Sequence, residues 1–337
     1  ERFKQLEADC AARTKPTELL DHVDTVSVAR DLDILRALSG DQKLNYAGFS
    51  YGTYLGATYA ELFPANTGRL VLDGALDPSL SYSERRQGQA RGFERALRNY
   101  VAWCQSGQSC PLTGGTDAGV QQIGDVFTSA NQSPVPSSDP NRPVTGEDMK
   151  RIVGFMLYFP ESSWSAVSEA LGQVINQHDA STFRAMADQI AAQPLANTGA
   201  NIGINCLDYQ VEGDMATWTA QSKELERIAP RFATVSEAGD LGCQAWGHAG
   251  TQPSKALHAK GAAPILVVGT TGDPATPYEW SVALADQLES GQLLTWEGNG
   301  HGAYTNSGHG PCVTEAVDTY LLTGTMPKKG LTCHGKE

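Results

Sequence analysis

A strand-like segment that turns directly into a helix at a single serine is the sequence feature that most restricts the fold. Residues 43–48 read KLNYAG, a short β-type run, and residues 51–63 form a helical run with small side chains on one side. Between them lies Ser50, in the pattern Gly48-Phe49-Ser50-Tyr51-Gly52. A sharp strand-to-helix turn strains its central residue and brings neighbouring chain close, which favours glycine on both sides. The pattern therefore predicts a turn that exposes a serine hydroxyl at the end of a strand.

The segments around this turn alternate between helix and strand. Residues 25–38 carry a helical stripe of apolar side chains stopped by Gly40, and residues 69–74, RLVLDG, read as a second buried strand. The alternation resumes at residues 264–270, PILVVGT, and continues with a helix near 277–289, a strand at 292–298 and a helix at 311–322. This rhythm is typical of an α/β fold with a parallel sheet.

A long helical region separates the two α/β segments. Residues 80 to about 255 show no comparable strand pattern, and the Pro/Ser/Asn-rich loop 131–143 is their main interruption. The predicted helices there are 83–103, 116–130, 146–159, 161–177, 180–192 and 214–229. We therefore expect one α/β domain, made of residues 1–79 and 256–337, that is split by a helical insertion over residues 80–255.

The net charge and the hydropathy pattern exclude several classes of partner. A formal charge of −13 and a pI near 5.0 argue against a nucleic acid or an anionic membrane surface as partner. No apolar run reaches the roughly 18 residues that a membrane span needs.

The cysteine spacing indicates disulfides rather than a metal site. None of the seven cysteines forms a Cys-x-x-Cys pair or another metal-type spacing. Three pairs are plausible, and they point to an oxidising, extracytoplasmic setting: Cys104 with Cys110, Cys206 with Cys243, and Cys312 with Cys333. The alternative interpretation is a cytosolic protein with buried free thiols. In the disulfide interpretation Cys10 has no partner within the chain.

Two polar residues that follow the later strands complete a catalytic pattern with Ser50. A serine hydroxyl attacks a carbonyl only when a base removes its proton. Asp273 follows the strand 264–270, and His301 follows the strand 292–298. Functional residues of parallel sheets gather at these carboxyl ends, and an elbow serine is followed along the chain by its acid and then by its histidine. The order therefore predicts a triad of Ser50, Asp273 and His301.

Other residues compete for two of these roles. Asp273 has an alternative structural role as a cap for the helix near Pro277. Asp73, at the end of the strand 69–74, and Asp77, just after it, are rival acids, and His309 is a rival base eight residues after His301.

Four stretches of the chain resemble a known family. They are NYAGFSYGTYLGATYAELFP (45–64), RLVLDGALDP (69–78), VVGTTGDPATPYEWS (267–281) and GNGHGAYTNSGHGPCV (298–313). They are similar to the α/β-hydrolase superfamily, and within it to the actinobacterial tripeptidyl-aminopeptidase-like (carboxylesterase A-like) secreted serine hydrolases. The resemblance implies an α/β-hydrolase fold, with a parallel sheet flanked by helices and the insertion as a lid. It assigns Ser50 as nucleophile, Asp273 as acid and His301 as base, with no metal or cofactor.

The sequence departs from this family pattern at one place. Family members carry an upstream segment with the first strands of the sheet and a His-Gly-Gly loop that supplies one oxyanion donor, and this sequence has no His-Gly-Gly. The expected donor that is present is the backbone N–H of Tyr51. We therefore expect the chain to be the C-terminal part of a longer secreted bacterial enzyme, whose upstream segment is its partner and is bridged to Cys10.

The resemblance favours a secreted serine aminopeptidase that hydrolyses peptide bonds through an acyl-enzyme. A carboxylesterase or lipase-like hydrolase with the same triad is the first alternative, and a catalytically impaired fragment or binding module is the second. An exopeptidase needs a lid carboxylate for the free amine of its substrate, and the candidates are Glu161, Asp208, Glu212 and Asp214. The aromatic side chains that are candidates for lining an apolar pocket are Tyr158, Trp164, Trp218 and Trp280, although core packing is the alternative role for each.

Overall fold

The computed structural model describes most of the chain as one parallel sheet with helices around it. The described residues are 1–107, 109–192, 198–233, 239–248, 250, 253–304 and 311–335, without the side chains of residues 161, 162 and 198. They contain thirteen α-helices: α1 (Arg2–Arg13), α2 (Thr25–Leu38), α3 (Tyr51–Leu62), α4 (Tyr82–Ser106), α5 (Thr116–Gln132), α6 (Gly146–Met156), α7 (Pro160–Gln177), α8 (Ser181–Ala191), α9 (Thr198–Asp208), α10 (Met215–Ile228), α11 (Gly239–Trp246), α12 (Tyr278–Gln287) and α13 (Pro311–Thr323).

The sheet has five strands, and every neighbouring pair is parallel. In spatial order, which is also chain order, the strands are β1 (Leu44–Phe49), β2 (Thr67–Asp73), β3 (Ile265–Gly272), β4 (Gly291–Asn299) and β5 (Thr332–His334). The predicted α/β class with a parallel sheet is confirmed. The strand β5 was not predicted, because a run of three residues is too short to show a pattern.

Alternate side chains of the central strands face opposite layers of helices. Leu70 and Leu72 of β2 pack in a core with residues of α3 and α12, whereas Val71 between them packs in a second core with residues of α13. The close approach of α3 to the sheet depends on its small residues. A Cβ atom on Gly56 would lie 2.6 Å from Leu72 Cδ2. The sheet is therefore covered on both faces, as its continuous apolar strands require.

The insertion between β2 and β3 consists of helices α4 to α11. Its largest hydrophobic cluster draws all of its buried members from residues 93–232, including the fully buried Leu97, Tyr100, Ile123 and Leu171. The six helices predicted in this region are present, with ends that move by up to three residues. The helices α9 and α11 were not predicted, since their sequences lack a clear apolar stripe. The insertion thus has a hydrophobic core of its own.

Three disulfides and the packing of the first helix connect segments that are distant in the sequence or irregular. Two disulfides lie in the insertion, Cys104–Cys110 and Cys206–Cys243, and a third, Cys312–Cys333, ties the start of α13 to β5. The helix α1 packs against α9 and α11, and Cys10 on it has a free thiol. Within the described ranges, no helix has the length and hydrophobicity to cross a bilayer.

Candidate active site

Ser50 lies in a strained turn between β1 and α3. Its backbone angles are φ 54° and ψ −122°, a conformation that side chains rarely adopt and that is found at functional sites. Hydrogen bonds on both sides hold the turn in place. The Ser50 N–H donates to the Asp73 carbonyl over 3.0 Å, and the Thr53 N–H and hydroxyl donate to the Ser50 carbonyl. The turn therefore presents the serine side chain at the carboxyl end of β1.

The two glycines that flank the serine are needed for close packing. A Cβ atom on Gly48 would contact the Gly52 carbonyl and would lie 2.6 Å from Tyr46 Cε1. The space on the other side is also filled, because the Tyr46 hydroxyl donates to the Gly52 carbonyl over 2.8 Å. The glycine pattern thus has the physical cause that the sequence suggested, which is close backbone approach.

Asp273 and His301 form a hydrogen-bonded pair at the carboxyl ends of two neighbouring strands. Asp273 follows β3 directly, and His301 is the second residue after β4. The imidazole Nδ1 lies 2.9 Å from Asp273 Oδ2 and 3.0 Å from Oδ1. The carboxylate is fully buried, and the histidine side chain is 14% exposed. Asp273 therefore fixes which ring nitrogen of the histidine faces the protein.

The Asp273 carboxylate also orders the turn that follows it. It accepts hydrogen bonds from the backbone N–H groups of Ala275, Thr276 and Gly302, and from the Thr276 hydroxyl over 2.9 Å. The residue that caps α12 is Pro277, so Asp273 does not cap this helix. Thr276 was missed in the sequence, although its hydroxyl also lies 3.2 Å from His301 Nδ1. Its position three residues after the aspartate was the available signal.

The insertion reaches the histidine through Tyr158. The carbonyl of Tyr158 accepts the His301 backbone N–H over 3.0 Å, and the two rings meet edge-on with centroids 5.0 Å apart. Tyr158, Thr276 and Ser50 line one cavity of about 290 Å³. The histidine ring is thus bounded by two residues that share a cavity with the serine.

The electrostatic surroundings favour the protonated form of His301. Burial acts to lower the pKa of this imidazole, but the charge of Asp273, the hydrogen bond to it and the charge of Asp73 together raise the pKa above its ordinary value. The site therefore stabilises a positive charge on the ring, as a base that takes up a proton requires.

The two rival acids have hydrogen-bond partners other than the His301 side chain in the described residues. The carboxylate of Asp73 is bound by backbone N–H groups of Ala303 and Tyr304. Asp77 accepts hydrogen bonds from Ser79 and from the side chain of Gln287. His309 lies outside the described residues.

Asp208, one of the four candidates for binding a substrate amine, is hydrogen-bonded to Thr25, a residue outside the insertion. Its carboxylate accepts the backbone N–H and the hydroxyl of Thr25, each over 2.7 Å, at the start of α2. The Thr25 hydroxyl is in turn hydrogen-bonded to the Tyr51 hydroxyl. Asp208 lines a second cavity, of about 650 Å³, that does not include Ser50 among its described lining residues. Burial raises the pKa of Asp208 to about 6, against the opposing hydrogen bonds from Thr25.

The other candidate acids of the insertion do not line the serine cavity either, as far as the described side chains extend. Glu212 is exposed, and Asp214 caps α10 by accepting the N–H groups of Ala216 and Thr217. The side chain of Glu161 lies outside the described ones.

Of the four aromatic candidates, Tyr158 is the one among the described lining residues of the serine cavity. Trp164 is buried in the insertion core beside Tyr100, and the Trp218 indole donates to the Glu212 carbonyl. Trp280 is 6% exposed and packs so closely on α4 that a Cβ atom on Gly88 would lie 2.7 Å from its ring. The latter three thus have packing or surface roles.

The described residues contain no group of three or more His, Cys, Asp or Glu side chains that could hold a metal ion.

The chain matches one family model and several curated proteins. The family described as "TAP-like protein" matches residues 229–333, a range that contains both Asp273 and His301. Serine protease Hip1 of Mycobacterium tuberculosis is 36% identical over 331 residues, which cover 93% of this chain and 62% of that protein. Tripeptidyl aminopeptidase of Streptomyces lividans is 30% identical over 94% of this chain and 59% of its own length.

A third relative has a different kind of name. Carboxylesterase B of Mycobacterium tuberculosis is 34% identical over an alignment of 342 positions, which covers 98% of this chain and 64% of that protein. The chain thus spans about three fifths of the length of these curated relatives. The five-stranded parallel sheet and the strained serine turn are consistent with an α/β-hydrolase fold, and the family match and these relatives show that the chain is similar to hydrolases of that fold.

Proposed function

We propose that this chain carries the catalytic centre of a serine peptidase of the tripeptidyl-aminopeptidase type. The observation that carries the proposal is geometric. Ser50, Asp273 and His301 follow three strands of one parallel sheet, and the histidine Nδ1 lies 2.9 Å from Asp273 Oδ2. The similarity to Hip1 and to the Streptomyces aminopeptidase supports a peptide as substrate.

In the proposed mechanism, His301 Nε2 takes the proton of Ser50 Oγ as this oxygen attacks the substrate carbonyl. Asp273 holds the imidazole in the required tautomer and stabilises its positive form. The protonated imidazole then gives its proton to the leaving amine, and an acyl-enzyme remains on Ser50. Water, activated by the same histidine, hydrolyses the acyl-enzyme and restores the serine. The raised pKa of His301, a balance of burial against the Asp273 interactions and the Asp73 charge, supports its role as the base.

The negative charge that develops on the carbonyl oxygen needs two donors. Tyr51 is the first residue of α3, so its N–H has no carbonyl partner within the helix. We assign this N–H as one donor. The second donor comes from an upstream segment of the longer protein, which extends the sheet along β1 and is disulfide-linked through Cys10. In the described residues β1 pairs only with β2, and the Cys10 thiol is free, which supports both assignments.

The helical insertion is the lid of this site, with residues 80–255 as its proposed bounds. Its own hydrophobic core and the contact of Tyr158 with His301 support this role. The three disulfides support an extracytoplasmic, secreted or envelope-associated location in a bacterium.

A fluorophosphonate probe tests the mechanism in the full-length protein. The probe forms a bond between phosphorus and Ser50 Oγ with loss of fluoride, and it does so only at a serine with an active base. We expect one adduct per chain, on the peptide that contains Ser50, and none in the Ser50→Ala variant. Wild-type protein without an adduct would refute both hydrolase functions and leave the catalytically impaired fragment or binding module.

The carboxylesterase is the second candidate function, and the 34% identity to Carboxylesterase B favours it. Tripeptidyl p-nitroanilides and p-nitrophenyl acyl esters separate the two candidates. A peptidase is expected to cleave both kinds of substrate, since esters are chemically easier to hydrolyse, whereas an esterase is expected to leave the anilides intact. The ratio of the two kcat/KM values therefore decides between them.

A further inference from the structure

Asp73 connects the serine turn to the histidine loop. It is the last residue of β2, which lies between β1 and β3 in the sheet. Its carbonyl oxygen accepts the Ser50 N–H over 3.0 Å. Its carboxylate accepts the N–H groups of Ala303 and Tyr304, over 2.9 Å and 2.8 Å, from the loop that begins with His301. One residue thus binds the backbone on both sides of the site.

The loop is shaped around this carboxylate. Gly302 has φ +74°, a conformation that favours glycine, and a Cβ atom on it would lie 3.4 Å from Asp73 Oδ2. The backbone of residues 302–304 therefore folds tightly over Asp73. Because the two N–H groups follow His301 within three residues, the position of the carboxylate sets the position of the ring.

Asp73 is 1% exposed. Burying a carboxylate costs free energy unless hydrogen bonds or opposite charges compensate it. Burial raises its pKa to about 6, and the two backbone hydrogen bonds act in the opposite direction. The charged or titratable groups that face it are Asp273 after β3 and His301 after β4. Its negative charge acts on the imidazole without a direct hydrogen bond between the two side chains in the described contacts, which separates its role from that of Asp273.

We propose that Asp73 is a positioning residue that holds the histidine loop in register with the serine turn and supports the positive charge of His301. The proposal rests on the proposed function of Ser50 and His301. The hydrogen bond from Ser50 uses the backbone of Asp73 and survives any substitution of the side chain. A change of the side chain therefore acts on the histidine side of the site alone.

Two substitutions separate the position of the loop from the charge. Asp73→Ala removes the acceptor, and we expect the rate of Ser50 labelling by the fluorophosphonate to fall about 10²-fold, as a displacement of about 1 Å can cause. Asp73→Asn keeps one oxygen that can accept both N–H groups, puts an amide nitrogen in place of the other oxygen, which lies 3.1 Å from the Ala303 nitrogen, and removes the charge. We expect it to retain at least about a tenth of the wild-type labelling rate, and the pKa of His301 to fall, because one neighbouring negative charge is lost.

The labelling rates are measured in the full-length protein, with Asp77→Ala as the matched control. Asp77 is a second buried carboxylate, four residues later, that binds Ser79 and Gln287 instead of the histidine loop. The His301 pKa is measured separately, by NMR titration of the histidine rings with the His301→Gln variant for assignment. Thermal unfolding of each variant shows whether it is folded.

The proposal is overturned if Asp73→Ala is labelled as fast as Asp77→Ala, or if Asp73→Asn leaves the His301 pKa unchanged. It is also overturned if Asp73→Asn loses as much activity as Asp273→Asn, because Asp73 would then be the acid itself. If Asp73→Ala does not fold, the two readouts of Asp73→Asn decide. Wild-type protein that is not labelled refutes the proposed function, and the NMR titration still decides whether Asp73 controls His301.

Discussion

The sheet and the helical insertion differ in how they contribute to the site. The sheet places residues that are up to 251 positions apart in the chain, Ser50 and His301, at one edge through the register of parallel strands. The insertion has its own hydrophobic core and reaches the histidine by the backbone and ring of Tyr158. The proposed chemistry thus depends on the sheet, whereas the insertion shapes the space beside it.

The two regions also differ in what stabilises them. Close backbone approach matters most in the sheet, where glycines at 48 and 56 allow α3 to pack. The insertion contains two of the three disulfides and the largest buried cluster. A substitution in the sheet is therefore expected to change activity and stability together, and one in the insertion to change mainly stability.

The largest effect is expected from a substitution in the Asp273–His301 pair, which the sheet positions. Asp273→Asn leaves the shape of the site but favours the wrong imidazole tautomer, and we expect kcat to fall about 10⁴-fold. The measurement is the steady-state rate with the better of the two chromogenic substrates. Glu212→Gln, an exposed change in the insertion, is the control and is expected to retain wild-type kcat. A similar loss in both variants would contradict the separation of roles.

Removal of the two disulfides in the insertion tests how much each contributes to stability, and it changes no residue of the sheet. Cys206 and Cys243 close a loop of 37 residues, and Cys104 and Cys110 one of 6 residues. Loop-closure entropy predicts losses of about 4 and about 2 kcal/mol in the free energy of unfolding when each pair is replaced by serine. Denaturant unfolding measures these losses. The comparison fails if the shorter loop proves the more costly to open, or if either pair changes the labelling rate of the remaining folded protein.

Two glycine substitutions compare packing in the two regions directly. Gly48→Ala forces a methyl group against Tyr46 and Gly52, and such overpacking costs about 1–3 kcal/mol of stability. We also expect it to slow labelling of Ser50, because the turn must move. Gly172→Ala lies inside α7, where the nearest atom to the new methyl would be 3.6 Å away, so it is expected to stabilise the protein by about 0.5–1 kcal/mol. Equal destabilisation by both changes would be evidence against this difference.

The smallest expected effect concerns the contact between the two regions at Asp208. The pKa of this residue is about 6 in the folded protein and near 3.8 in an unfolded chain, because burial raises it. Between these values the folded state binds more protons than the unfolded state, so stability falls as pH rises through this window. Asp208→Asn is expected to reduce this slope in part, since Asp73 also has a pKa raised by burial to about 6.

Thermal unfolding at several pH values measures the slope for Asp208. The control is Asp214→Asn, because hydrogen bonds to the backbone and side chain of Thr217 lower the pKa of Asp214 and place its effect below this window. A slope that is unchanged by Asp208→Asn, or that changes equally with Asp214→Asn, would show that Asp208 is not a buried link between the two regions.

Most of the sheet could be predicted from the sequence, because buried parallel strands are short apolar runs bounded by glycine and proline. The same runs located the serine, the aspartate and the histidine, since each lies within two residues of the end of a strand. The helices α9 and α11 were not predicted, as their sequences TGANIGINCLD and GDLGCQAW lack a clear apolar stripe. Their burial depends on neighbours such as α1, which only the tertiary structure reveals.

The contacts of the site beyond these three residues were less predictable. Thr276 and Tyr158 both touch His301. Thr276 was missed although it lies three residues after Asp273, and Tyr158 was one of four aromatic candidates that the sequence did not separate. Asp208 was one of four candidates for binding the substrate's amine, and its carboxylate is hydrogen-bonded to Thr25, 183 residues away. The sequence shows that an acid is present in the insertion, but the direction of its side chain depends on packing.

The two edges of the sheet are not equivalent. At one side β5 has three residues and is fastened to α13 by a disulfide, and short, anchored edge strands resist pairing with other molecules. At the other side β1 has six residues and, among those described, pairs with β2 alone. Growth of the sheet is therefore directional, so a strand from elsewhere in the protein, or from a second molecule, has one place to join. The same asymmetry makes β1 the edge at which the isolated chain is expected to self-associate.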